Sequence, residues 1–122
     1  MAGTKAEELA ERYVAAHSRC QLDAVLALFA DDAVLEDPVG SEPLRGMDAI
    51  RSFFESTHRR NGRLRIERVG PVLVCGMEAS WHIRAGAEKA DFEPMLDVIY
   101  TLRCRDDGRV AELRAYFETG RS

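Results

Sequence analysis

Asp37 stands directly before Pro38, with apolar residues on either side in Ala33, Val34, Leu35 and Val39. A residue that precedes proline is pushed out of the helical region, so this carboxylate is held extended or in a turn. A carboxylate on a rigid loop beside an apolar cavity can act as a general base. An isolated Asp-Pro more often only starts a turn, so the dipeptide alone leaves both roles open. Tyr13 lies on the apolar stripe Leu9, Ala10, Tyr13, Val14 and His17. Read by itself it is a core tyrosine whose hydroxyl would find a backbone partner.

Other reactive side chains give no pattern. Cys20, Cys75 and Cys104 are odd in number and far apart, so neither a disulfide framework nor a zinc site follows. His17, His58 and His82 are equally scattered, with no metal-ligand spacing, and His17 reads as a partly exposed histidine one turn beyond Tyr13. No metal and no cofactor are expected.

The elements that must position Asp37 and Tyr13 can be read from periodicity. Glu7 to Ser18 is a helix, and Leu22, Val25, Leu26 and Phe29 continue at helical spacing into a second. Asp31-Asp32 ends that helix, and Ala33 to Glu36 reads as a short strand. The segment from Asp37 to Pro43 is a loop with two prolines and a glycine. A third helix runs from about Met47 to His58 and buries Ile50, Phe53 and Phe54. After Asn61-Gly62 the period changes to two. Leu64, Ile66 and Val69 begin a sheet, broken at Gly70-Pro71, and Val72 to Cys75 and Ala79 to Arg84 continue it. Phe92, Pro94, Leu96, Val98, Tyr100, Leu102 and Cys104 share one parity, the mark of a strand with one apolar face. Asp106-Asp107-Gly108 turns the chain into a returning strand, Arg109 to Glu118.

Helices first and strands afterwards indicate one α+β domain over residues 1–122. The 122 residues suit a single core, and 46% apolar residues argue against disorder. The net charge of −4 is mixed along the chain, with no basic stripe for nucleic acid or an anionic membrane. The apolar runs fall short of the roughly 20 residues of a membrane span, and the polar, acidic N-terminus does not read as a signal peptide. A cytoplasmic protein is expected.

One segment carries a family likeness. Phe29-Ala30-Asp31-Asp32-Ala33, followed by Glu36-Asp37-Pro38-Val39-Gly40-Ser41-Glu42-Pro43, resembles the active-site region of the ketosteroid isomerases (bacterial steroid Δ5-isomerases) within the nuclear-transport-factor-like superfamily. Arg12 to Ala16, Gly46 through Phe54, and Gly108 to Phe117 resemble the same family. Arg63 to Ala90 match it only in pattern. The likeness implies a cone: a curved, mainly antiparallel sheet with three helices on its concave side. It also implies a pocket between the first and third helices and the sheet, entered by both Tyr13 and Asp37. Asp37 becomes the proton-shuttling base and Tyr13 a hydrogen-bond donor to the substrate oxygen.

The second donor departs from the family, which places a protonated aspartic acid there. Gap-free alignment backward from Gly108 puts Tyr100 at that position, with Asp97 three residues earlier on the opposite strand face. A phenol is neutral at pH 7 without the pKa elevation an aspartic acid would need. A bulge between the two would reverse the assignment. Phe54 replaces a tyrosine of the family, removing one supporting hydroxyl. Trp81, Ile83 and Phe117 are read as lining the pocket or filling the core. Glu36 is expected to point away from Asp37.

The implied activity is a cofactor-free shift of a C=C bond from Δ5 to Δ4 in a 3-oxosteroid. Other enzymes on the same scaffold (polyketide cyclase, epoxide hydrolase, dehydratase) and a non-catalytic binder of hydrophobic ligands are the alternatives. The implied partners are a small hydrophobic substrate and, through the last strands, a second copy of the chain.

Overall fold

The computed structural model describes residues 5–88 and 96–118. The order of elements is α1 (Lys5–Ser18), α2 (Leu22–Leu26), β1 (Phe29–Glu36), β2 (Leu44–Arg45), α3 (Met47–Asn61), β3 (Leu64–Cys75), β4 (Glu78–Ala87), β5 (Leu96–Cys104) and β6 (Val110–Tyr116). Apart from β1 and β2, which fall between α2 and α3, helices lead and strands follow, as the change of period after Asn61-Gly62 predicts.

The six strands form one mixed sheet in the order β2-β1-β6-β5-β4-β3. All neighbours are antiparallel except β1 and β6, which run parallel. The sheet does not close, and with the helices against one face it forms the α+β cone that the family likeness implies. Helix α1 packs on β3, β4 and β5, while α3 packs on β1, β2 and α2. Tyr13, Phe29, Phe54, Leu35, Ile50, Ile83, Leu102 and Leu113 are the large, fully buried side chains between the layers.

Local signals and tertiary pairing disagree in three places. The helical stripe ending at Phe29 stops at Leu26, because Phe29 already pairs with Val110 of β6. The backbone N–H of Val110 donates to the Leu28 carbonyl at 2.8 Å and fixes that start. Pairing with a distant strand here overrides helical spacing. Gly70-Pro71 does not end a strand. It falls in a register shift between Val69 and Leu73 within β3, where a bulge absorbs the residue that cannot donate. Helix α3 runs three residues past His58 to Asn61 and is stopped by Gly62 at φ +66°. Phe92 and Pro94, read as the start of β5, lie outside the described residues.

Candidate active site

Asp37 follows the last residue of β1, and its neighbours clamp the loop to β6. Arg114 Nε donates to Glu36 Oε1 at 2.7 Å. The Gly40 N–H donates to Glu36 Oε2 at 3.1 Å, and the Val39 N–H donates to the Ala115 carbonyl at 2.7 Å. Glu36 therefore points away from Asp37 toward Arg114, as expected from alternation along the strand. Gly40 turns the loop at φ +101°, a conformation that strains any residue with a side chain.

The half-buried Asp37 lines a cavity of about 500 Å³. Phe53, Leu64, Leu96, Val98 and Phe117 supply most of its apolar wall, and Tyr100 lies in that wall. Burial raises the Asp37 carboxyl from 3.8 to about 6, because the apolar surroundings penalise its charge.

Tyr100 is placed by strand parity. In β5, Val98, Tyr100, Leu102 and Cys104 are buried, whereas Asp97, Ile99 and Arg103 are exposed. Tyr100 pairs with Trp81 of β4 and Ala115 of β6. Its ring stacks on Trp81 at 5.1 Å and meets Tyr13 edge-on at 5.3 Å. Asp97 sits on the outer face, sharing a 2.8 Å contact with His82 Nε2 and accepting from Arg84 Nε at 3.1 Å. Those two partners, His82 first, hold its carboxyl below the ordinary range.

Tyr13 is fully buried on α1. Its hydroxyl is sealed from solvent without a hydrogen bond of normal geometry, although Tyr100 and Asp37 are close enough to act on it electrostatically. Burial, then Tyr100 and Asp37, push the Tyr13 phenol well above 10; burial and then Asp37 push Tyr100 the same way. Both phenols are therefore neutral donors at any ordinary pH. The structure brings Tyr13, Tyr100 and Asp37 together, but Tyr13 does not enter the open cavity as the family likeness implies. Instead it lies against Tyr100 and His17, two residues that do line the cavity.

His17 corrects the sequence reading. It is not partly exposed but buried at 7% exposure, because α3 lays His58 over it. Phe54, also fully buried, contacts Tyr13 edge-on at 6.1 Å and offers it no hydroxyl. Of the residues left between pocket and core, Phe117 lines the cavity, whereas Trp81 and Ile83 belong to the buried core. Thr57, Arg60 and Asn61, on the last turns of α3, also line the cavity and were not singled out by sequence. Their signal was present: Phe53, Thr57, Arg60 and Asn61 continue the helical stripe at steps of three and four.

The arrangement can hold an apolar molecule, take a proton from it at Asp37, and offer the neutral Tyr100 phenol to an oxygen that gains charge. Among the described residues no three His, Cys, Asp or Glu side chains gather as a metal site. Cys20, Cys75 and Cys104 are free thiols. No helix among the described residues is long and apolar enough to cross a membrane.

The fold is that of an NTF2-like α+β protein. Residues 10–113 match the SnoaL-like domain family, and the chain belongs to it. It is 29% identical over 109 residues to a protein of Nocardioides simplex named steroid Delta-isomerase, covering 89% of this chain and 86% of that one. Among solved structures it is similar to the epoxide hydrolase/cyclase-like enzyme SalBIII, described for pyran ring formation in the polyether salinomycin. The TM-score is 0.80 at 20% identity, with 94% of this chain and 92% of that chain covered. This second likeness speaks to the fold alone.

Proposed function

We propose that the protein is a cofactor-free isomerase that moves a C=C bond from Δ5 to Δ4 in 3-oxosteroids. The observation that supports this reading best is Asp37, the one carboxylate among the described cavity-lining residues, raised to about 6 and close to the buried phenols Tyr100 and Tyr13. Asp37 removes a proton from C4, between the carbonyl and the double bond. The electron pair delocalises through the dienolate to the carbonyl oxygen, where Tyr100 donates a hydrogen bond, with Tyr13 packed behind it in the core. Asp37 then returns the same proton to C6, the carbonyl re-forms, and the double bond lies at Δ4. No atom or electron is gained or lost. A base near pH 6 is ionised at neutral pH and still strong enough to act.

An epoxide hydrolase or a cyclase is the competing reading on this scaffold. Among the described cavity-lining residues Asp37 is the one carboxylate, which favours a single-base proton shuttle over a scheme that shares acid and base between two carboxylates. The proposal includes a cytoplasmic homodimer: Val69, Leu73, Ile99 and Tyr116 leave exposed apolar surface on the strands. The test is ultraviolet assay of 5-androstene-3,17-dione. Growth of conjugated-enone absorbance, proportional to enzyme, supports the reading. Tight steroid binding without conversion and without exchange of the C4 protons would make the protein a carrier.

A further inference from the structure

The His17–His58 pair is used by nothing above, yet His17 lines the same cavity. Tyr13, Phe54 and His58 surround the His17 ring. One face stacks on Tyr13 at 5.3 Å and 16°, and Phe54 meets it edge-on at 5.6 Å. Its Nδ1 is 3.2 Å from His58 Nε2. Nε2 has no hydrogen-bond partner among the described residues, is not among the sealed polar atoms, and belongs to a cavity-lining residue.

The proton between the rings can be placed by its consequences. His58 Nδ1 is buried without a partner. If His17 donated, a neutral His58 would carry its own proton at Nδ1, leaving a sealed N–H unsatisfied. If His58 Nε2–H donates to His17 Nδ1, only a lone pair is orphaned. Orphaned buried N–H groups are the rarer of the two in proteins. His58 is then the donor, and His17 holds its proton on Nε2, at the ring edge left open toward the cavity. Both rings are neutral: burial first, and then His58, lowers His17 to about 4, while burial also lowers His58.

We propose that His17, oriented by His58, is a second polar station in the cavity, donating from Nε2 to a ligand oxygen other than the one facing Tyr100. The inference rests on the cavity being the ligand site, as proposed above, and it narrows the substrate class to apolar molecules that carry two oxygen functions. The Trp81, Tyr100, Tyr13, His17 and His58 rings follow one another at 5.1 to 5.3 Å, and of these Tyr100 and His17 line the cavity. The second oxygen therefore lies further along the same row of rings, on the α3 side. His17 is a specificity residue here and takes no part in proton transfer.

The test measures affinity ratios. Naphthol, with one hydroxyl, is compared with a set of dihydroxynaphthalenes that differ in the position of the second hydroxyl, all by fluorescence titration of the full chain. Wild type should bind at least one diol about tenfold more tightly than naphthol, the worth of one well-formed hydrogen bond. In His17→Phe, which keeps a ring against Tyr13, that ratio should fall to about one. His17→Gln, which restores an N–H near the same place, should recover part of it. His58→Phe should weaken the preference by removing the group that fixes the tautomer. The preferred diol should also shift the ¹⁵N resonance of His17 Nε2 in wild type, a readout available even if His17→Phe fails to fold. Equal affinity for naphthol and every diol in wild type overturns the proposal, as does an unchanged ratio in His17→Phe. Isomerase activity without a diol preference would remove this inference alone; a His17-dependent preference without isomerase activity would remove the isomerase reading alone.

Discussion

Asp37 and Asp97 are the same side chain in opposite circumstances. Asp37 closes β1 against an apolar cavity, and desolvation raises its carboxyl to about 6. Asp97 lies on the outer face of β5, where His82 and Arg84 hold its carboxyl down. One carboxylate is kept short of partners, and basic, inside the cone; the other is saturated outside it. The difference teaches that a carboxylate basic enough for the proposed proton transfer is made by burial without strong partners, at a cost to stability that a surface carboxylate does not incur.

The largest expected effect that could break this comparison is on rate. Asp37→Asn should reduce kcat by roughly 10²–10⁴ or more, since the one group moves the proton twice. Circular dichroism should show an intact fold, and kcat near wild type would remove Asp37 from the chemistry. Next comes Tyr100→Phe, which keeps the ring and its stacking on Trp81. Loss of one donor to a developing oxyanion should lower kcat by about 10²–10³. Asp97→Asn should leave kcat unchanged. The reverse pattern would place the second donor on the outer face of β5.

A third effect is thermodynamic. The folded pKa of Asp37, about 6, lies above its unfolded value of 3.8. Its contribution to stability is therefore fully present below about pH 4 and is lost as pH rises through 6. Asp37→Asn avoids that loss, so it should be more stable than wild type at pH 7–8, by up to about 3 kcal/mol from the size of the shift. Denaturant titrations at pH 4 and pH 7.5 should show the advantage at the higher pH only. The sign is opposite for His17, whose folded pKa of about 4 lies below the ordinary 6.5. Its contribution is present above 6.5 and lost as pH falls toward 4. His17→Phe should then soften the acid destabilisation of the protein between those limits. Asp97→Asn is expected to have the smallest effect, because an exposed pair is screened by solvent.

Much of this contrast is legible in the sequence. Strand parity separates Tyr100 from Asp97, since no register shift falls between them; the shift in β5 lies at Arg103 and Cys104. The proline after Asp37 marks it as a loop carboxylate. Other features are not local. The parallel pairing of β1 with β6 joins segments far apart in the chain, so Phe29 looks helical until its partner Val110 is known. Gly70-Pro71 looks like a break because a bulge depends on the strand alongside. The burial of His17 is set by a residue on another helix, His58, and a stripe on α1 alone cannot disclose it. Tyr13 is visible as a stripe residue, but its depth behind the open cavity depends on Tyr100 and His17 together.

The central claim, that a desolvated Asp37 is the base, is tested most directly by the pH dependence of kcat/KM for 5-androstene-3,17-dione. The account predicts a profile that rises tenfold per pH unit in acid and levels off through a single ionisation at about 6, the value that burial gives Asp37 in the free protein. A profile that levels off near the ordinary carboxylate value, about 4, or that stays flat from pH 5 to 7, would contradict it.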